Sequence, residues 1–156
     1  MKKNLLFSTR LIADKYIDAD QLLNYITSDY IAKVDSAKLE DAIGTVCVIA
    51  SAETDIDKRK ANLRFGDGEI FIDIKTDNGA SSVLIPATIQ GEMPAEGFWY
   101  DPTKFSEAFR TVFGEVELHV SDKGFIIFKC PESQYMLSPM RAPVAKKESK
   151  PNKKAA

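Results

Sequence analysis

Histidine and cysteine, two residue types common in catalytic and metal sites, are few in this chain and widely spaced. The single histidine, His119, alternates with Glu117 and Ser121 in a strand-like pattern, which predicts a solvent-exposed side chain. The two cysteines, Cys47 and Cys130, fall inside predicted core elements. One His and two Cys leave a tetrahedral zinc site short of ligands. We therefore expect no metal site and no cofactor.

The remaining motifs also favour structural roles. The run Asp55-Ile56-Asp57 is too short for a calcium-binding loop. Gly66-Asp67-Gly68 is not followed by the Gly-Lys-Ser/Thr of a phosphate-binding loop and is interpreted as a hairpin turn. Lys58-Arg59-Lys60 is interpreted as a solvated charge run in a loop. The sequence favours a protein that is not an enzyme, and a metal-dependent enzyme using Asp55 and Asp57 is the least favoured alternative.

Length and charge narrow the class of protein. A chain of 156 residues with 44% hydrophobic and 28% charged residues is typical of one soluble globular domain. The net charge of −2 does not favour a nucleic-acid binder, but residues 143–156 carry five Lys and one Glu. That tail either adds nonspecific attraction to DNA or keeps the chain soluble.

The cysteines and the apolar runs bear on location. Buried, reduced thiols are typical of a reducing compartment. No apolar run approaches the roughly 20 residues that a membrane helix needs, and the apolar residues after Lys2 and Lys3 are too few for a signal peptide. We expect a cytoplasmic protein without a membrane partner.

A helix-start pattern occurs twice and organises the chain. Asp35 is followed by Lys, an apolar residue, Ala and a second apolar residue at positions 38, 39, 42 and 43, and the same pattern follows Asp101 at positions 104, 105, 108 and 109. An Asp before each run is typical of a helix N-cap, and Pro102 suits the first helical position. The doubled pattern predicts a domain of two related halves.

Each half is predicted to contain a strand, a helix, a hairpin and a further strand. The predicted elements of the first half are a strand over 31–34, a helix over 36–50, a hairpin over 61–65 and 69–74, and a strand over 82–87.

The second half repeats this order after a connecting stretch. Its predicted elements are a strand over 97–100, a helix from 102 to about 113, and strands over 115–120, 125–128 and 135–137. Short connections imply antiparallel pairing, and one apolar stripe on each helix places both helices on one face of the sheet. The residues thus predict an α+β domain with internal pseudo-twofold symmetry.

Several stretches, in this order and spacing, resemble the bacterial sliding clamp, the β subunit of the replicative DNA polymerase. Thr9 to Asp18 is similar to the segment joining its second and third domains, and Lys58 to Phe65 opens a similar hairpin. Phe98 to Phe113 resembles the first strand and second helix of the third domain. Tyr135-Met136-Leu137-Ser138-Pro139-Met140-Arg141 resembles the family's C-terminal signature. The resemblance covers about residues 7–141.

The resemblance implies an organisation and a function. Residues 1–30 would be an N-terminal strand and joining arm, and residues 31–141 a single DNA-clamp-like domain. Residues 142–156 follow the point where the family normally ends, and their Lys-, Pro- and Ala-rich composition predicts a disordered tail. In the family, three-domain subunits close a ring around duplex DNA and tether the polymerase without bond chemistry. The implied partners are duplex DNA, DNA polymerase and clamp-loader-type proteins, which dock short apolar motifs.

Site residues follow from the same resemblance. This chain's share of the partner-peptide pocket would be Ile17, Gln21, Leu22, Met136, Leu137, Ser138, Pro139, Met140 and Arg141. Lys38, Lys104 and Arg110, at the flanks and outward faces of the two helices, are the candidates for DNA contact.

The first domain and most of the second have no counterpart here, so two copies would not close a ring in the family's manner. Six copies, a mixed assembly and a fragment of a longer clamp stay open. The alternative function is a stand-alone interaction module or decoy, which binds replication proteins without encircling DNA.

Overall fold

The computed structural model of the chain describes Asp18, Gln21 and residues 29–110, 112–129 and 134–143. The predicted N-terminal strand, most of the joining arm and the tail beyond residue 143 lie outside these residues. The described elements, in chain order, are β1 (Tyr30–Asp35), α1 (Ser36–Ser51), β2 (Ala61–Gly66), β3 (Glu69–Thr76), β4 (Gly79–Pro86), β5 (Thr88–Gln90), β6 (Phe98–Tyr100), α2 (Pro102–Phe109), β7 (Glu115–Val120), β8 (Ile126–Lys129) and β9 (Gln134–Leu137).

The strands form two antiparallel sheets, and each sheet combines strands from both halves. The five-stranded sheet has the order β5-β1-β7-β8-β9, and the four-stranded sheet has the order β4-β3-β2-β6. Thus β1, the first strand of the first half, pairs with β7 of the second half, while β6 pairs with β2 of the first. This reciprocal exchange is the twofold relationship that the sequence repeat predicts, and it confirms the α+β fold class.

Both helices pack into one hydrophobic core that the two sheets share. Leu39, Ile43 and Val46 of α1 are buried, and so are Phe105 and Phe109 of α2. The rings of Phe105 and Phe109 contact Phe128 of β8 at centroid distances of 5.3 and 4.8 Å. The alternation of hydrophobic residues on the strands and their helical spacing on α1 and α2 therefore direct one face of every element to the same interior.

The second helix, one short strand and the histidine differ from the sequence-based predictions. The second helix ends at Phe109, not near Phe113, because the Val112 amide turns back to the Phe109 carbonyl and Val112 is buried. Strand β5 was not predicted; its three residues complete the edge beside β1. The prediction that His119 is exposed is wrong, since it is 7% exposed.

One interior cavity is far too small for a small-molecule substrate. That cavity lies between the helices and the four-stranded sheet, beside Ile43, Leu63 and Phe105, and has a volume of about 10 Å³. This is close to the minimum space for one water molecule. Within the described residues, neither helix is long and apolar enough to cross a membrane.

Candidate partner-binding site

The C-terminal residues that were predicted to bind partners connect the two sheets. After β9, on the edge of the five-stranded sheet, the chain continues as Ser138–Arg141, here named the C-terminal strap. The Met140 amide donates to the Trp99 carbonyl at 2.6 Å, in an isolated antiparallel bridge. Because Trp99 belongs to β6, the strap ends on the edge of the four-stranded sheet. It therefore spans the boundary between the sheets.

The strap presents a partly apolar surface to solvent. Pro139 and Met140 are half-buried, whereas Ser138 and Arg141 are exposed. A flexible thioether beside a rigid proline ring suits an adaptable apolar contact. The structure therefore places four of the predicted site residues together, next to Trp99.

The two predicted site residues of β9 face opposite sides of their sheet. Leu137 lies opposite the fully buried Ile126 and packs against the core, whereas Met136 lies opposite Ile127. Side chains alternate along a strand, so only Met136 lies on the face turned away from the helices. Leu137 thus supports the fold from within, and Met136 belongs to the outer surface.

Met136 ends a row of side chains that crosses the five-stranded sheet, and sequence reasoning missed this row. Strand register places Ile31 opposite His119, His119 opposite Ile127 and Ile127 opposite Met136. Ile127 is 3% exposed although it lies outside the core cluster. Only strand pairing brings these residues together, so no local pattern could have identified them.

An ionic network borders this row. The Lys33 ammonium lies 2.7 Å from one Glu117 carboxylate oxygen, and His119 Nε2 lies 3.0 Å from the other. Hydrogen bonds from Lys33 and His119 lower the pKa of Glu117, and the bond to Glu117 raises the pKa of Lys33. His119 Nδ1 is buried and has no hydrogen-bond partner among the described residues. The histidine is therefore a packed part of the sheet surface.

The three residues of the basic loop run contact different acidic or carbonyl partners. Lys58 pairs with Asp77 at 2.8 Å, and Arg59 pairs with Asp101 at 3.3 Å. Lys60 donates from Nζ to the Arg141 carbonyl at 3.0 Å, and its side chain is only 8% exposed. The interpretation of the whole run as solvated is therefore wrong at Lys60, which contacts the C-terminal strap.

Of the three predicted site residues in the joining segment, the structure describes only Gln21. Gln21 is exposed, and its backbone N–H donates to the Asp18 carboxylate at 3.2 Å. Ile17 and Leu22 lie outside the described residues, so their assignment to the pocket stays a prediction.

The exposed helix surface carries balanced charge. Lys38, Lys104 and Arg110 are exposed as predicted, but Glu40, Asp41 and Glu107 are exposed on the same two segments. Lys104 pairs with Glu107 at 2.9 Å. Three cationic and three acidic groups cancel, so these helices lack the excess positive charge with which proteins attract the phosphate backbone.

Strand β4 forms an edge of the four-stranded sheet and contains no charged residue. A groove of about 280 Å³ runs between β4 and α1, with Lys38, Asp41 and Leu84 among its lining residues. Leu84 is 53% exposed and Val48 of α1 is 68% exposed. Uncharged edge strands readily pair with another chain, so this edge is a candidate surface for association.

Cysteine and metal chemistry find no site among the described residues. The Cys47 thiol is half-buried, lies 3.2 Å from the Pro102 carbonyl oxygen, and burial raises its pKa. Cys130 lies outside the described part of the chain. Within that part, no group of three or more His, Cys, Asp or Glu could hold a metal ion.

Comparison with solved structures identifies the fold. The DNA polymerase III β subunit of Thermotoga maritima aligns with a TM-score of 0.70 and 15% identity, over 85% of this chain. A β subunit from Eubacterium rectale gives 0.71 and 21% identity over 86%. The sliding clamp of Pseudomonas aeruginosa bound to griselimycin gives 0.69 and 15% identity over 86%.

These comparisons show the clamp fold and also the extent of the match. The alignment covers 36% of each of the three solved chains, so this chain spans about a third of their length. No family model matches the sequence, and no curated protein matches it either. The fold is therefore shared with bacterial clamps at low sequence identity, over a single-domain length.

Proposed function

We propose that this chain is a clamp-type DNA replication protein that acts by binding, without bond chemistry, in the cytoplasm. The observation that carries the proposal is the clamp fold, with two halves exchanging their first strands. Its partners are DNA polymerase and clamp-loader-type proteins, which dock short apolar peptides against the C-terminal strap. Duplex DNA is the second, non-sequence-specific partner.

The peptide site is supported by the position of the strap. Met140 and Pro139 are half-buried at the boundary of two sheets, beside Trp99, and Met136 lies nearby on the outer face. Apolar side chains around a shallow boundary suit recognition of a short apolar motif. In this proposal Ile17, Gln21 and Leu22 of the joining segment are the other residues that this chain contributes to the pocket.

A labelled peptide carrying a short run of Leu and Phe tests the site by fluorescence anisotropy. The double variant Met140→Ala with Leu22→Ala is expected to weaken binding by more than about tenfold, as for a truncated interface hot spot. Phe113→Ala, which removes an exposed ring elsewhere, should leave the affinity unchanged. The same peptide with Ser in place of Leu and Phe should not bind. Equal affinity of the double variant and the native chain would remove the pocket assignment.

Association through the β4 edge is the proposed route to a ring. A single domain of this length would need about six copies, or other clamp domains, to surround DNA. Light scattering should therefore report an assembly rather than a monomer. Leu84→Lys places a charge on the uncharged edge and should reduce the mass, whereas Thr54→Lys, in an exposed loop, should not. An unchanged mass for Leu84→Lys would exclude this edge.

Retention on DNA distinguishes a topological tether from ordinary binding. A closed ring stays on circular duplex and slides from the ends after linearisation. Equal retention on both forms, abolished by about 0.5 M salt, would indicate electrostatic binding only.

A second candidate function is a stand-alone module that binds replication proteins without encircling DNA. The balanced charge of the exposed helix surface favours it, because a DNA channel normally carries excess positive charge. A monomeric mass with retained peptide binding would select this function.

A further inference from the structure

We propose that Lys60 is a positioning residue for the partner-peptide site: its buried ammonium holds the C-terminal strap against the four-stranded sheet. The effect of Lys60 on peptide affinity rests on the proposed function, but the contact between Lys60 and the strap can be tested without any peptide. Nothing in the basic loop run predicted this role, which depends on a contact between residues far apart in the chain.

Two polar contacts fasten the strap to this sheet. The Met140 amide donates to the Trp99 carbonyl at 2.6 Å, and the next residue, Arg141, accepts from Lys60 Nζ at 3.0 Å. Lys60 immediately precedes β2, which pairs with β6. Lys60 therefore lies at the start of the strand beside the one that the strap contacts.

No residue of the strap is fully buried. Pro139 and Met140 are half-buried, whereas Ser138 and Arg141 are exposed, as are Ala142 and Pro143 beyond it. Segments with few buried apolar contacts open at low free-energy cost, so individual polar contacts decide whether they stay docked. The contact with Lys60 is consequently a large part of what orders this segment.

Because the Lys60 side chain is buried, it depends on the strap as much as the strap depends on it. Its side chain is 8% exposed, and its other described partner is Asp57, at 3.3 Å and 87% exposed. A buried ammonium is costly unless its donors are satisfied. When the strap leaves, Lys60 loses the Arg141 carbonyl and keeps one solvated carboxylate. Lys60 and the docked strap therefore stabilise each other.

Docking by Lys60 would preorganise the apolar wall of the proposed pocket. Met140 is the residue next to Arg141, so fixing the Arg141 carbonyl restricts where the Met140 side chain lies. A wall that is already ordered loses less conformational freedom when a peptide binds. Lys60 thus acts on the affinity through the strap.

Hydrogen exchange of the Met140 amide, measured by NMR on the full chain, tests the contact directly. Loss of a hydrogen bond to a charged group is expected to accelerate exchange by roughly tenfold or more in Lys60→Met. Lys58→Met, which removes an exposed lysine of the same loop, should not change it. Lys60→Arg, which retains a cationic donor, should restore most of the protection. Trp99, the single tryptophan, gives an independent fluorescence signal for strap release.

The remaining outcomes separate this inference from the proposed function. Faster exchange in Lys60→Met together with about tenfold weaker peptide binding would support both. Faster exchange with no peptide binding by the native chain would support the strap contact and reject the peptide site. Unchanged Met140 exchange in Lys60→Met would overturn the inference, and so would unchanged exchange in the milder Lys60→Gln should Lys60→Met fail to fold.

Discussion

Asp35 and Asp101 cap the two helices from equivalent positions, each at the end of a strand that pairs with the other half of the chain. The Asp35 carboxylate accepts from the Lys38 amide at 3.1 Å, and the Asp101 carboxylate accepts from the Thr103 amide at 2.9 Å. Asp101 also accepts from the Thr103 hydroxyl and pairs with Arg59. The two caps share a role but differ in the number of contacts they make.

This difference predicts unequal costs for removing the caps. Asp35→Ala should lower the free energy of unfolding by about 1 kcal/mol, and Asp101→Ala by about 2 kcal/mol, because more donors lose their partner. Urea denaturation followed by circular dichroism measures both. Asp41→Ala, on the exposed face of α1, is the control and should change little. Equal losses for both caps would contradict the expectation.

The aromatic contact between α2 and β8 predicts that removing the Phe109 ring lowers the unfolding free energy much more than removing the Phe113 ring. Phe109 is 1% exposed and lies edge-on to Phe128, whereas Phe113 is 85% exposed. Phe109→Ala should cost about 3–5 kcal/mol, since it leaves a cavity in the core. Phe113→Ala should change the unfolding free energy by less than about 0.5 kcal/mol. Thermal and urea denaturation of the two variants provide the comparison.

The hydroxyl of Tyr100 joins β6 to the turn that precedes β8. It donates to the Gly124 carbonyl at 2.6 Å inside the core, and burial raises its pKa above the ordinary range. Tyr100→Phe leaves that carbonyl without its donor and should destabilise the chain by about 1–2 kcal/mol. Tyr30→Phe is the control, because the Tyr30 hydroxyl makes no hydrogen bond within the described residues. A Tyr100→Phe chain as stable as the native one would show that water replaces the hydroxyl.

Glu117 predicts a pH-dependent part of the stability. Hydrogen bonds from Lys33 and His119 lower the pKa of Glu117 in the folded state below the ordinary value for glutamate. Its stabilising effect is therefore present above about pH 4.5 and disappears as the pH falls through the lowered value. Glu117→Gln should be less stable than the native chain at pH 7, and the difference in stability should be smaller at about pH 3. Urea midpoints at both pH values measure the gap, and Glu115→Gln, at an exposed position of the same strand, is the control.

A gap that stays constant between these pH values would show that the loss in Glu117→Gln comes from packing. Lys33 has the opposite pH dependence, because its pKa is raised from 10.5. Its contribution to the stability is complete below pH 10.5 and is lost as the pH rises through the raised pKa.

The sequence alone determined the elements and their repetition. The Asp caps, the apolar spacing of 39, 43 and 46, and the Gly66-Asp67-Gly68 turn each act within a few residues, so their structural consequences were readable locally. The α+β class and the twofold organisation followed. Sequence similarity to the clamp's C-terminal signature then marked Met136 to Arg141 as candidates for peptide binding. It could not show that Leu137 faces the core whereas Met136 faces away from the helices.

Only the tertiary structure decided which surfaces those elements form. The division into two sheets, the burial of His119 between Ile31 and Ile127, and the contact of Lys60 with Arg141 all join residues that are distant in the chain. A local pattern specifies which face of a strand is apolar but not which strand lies beside it. Long-range pairing therefore fixed the row of side chains across the five-stranded sheet and also the docked C-terminal strap, to which the proposed function assigns peptide binding.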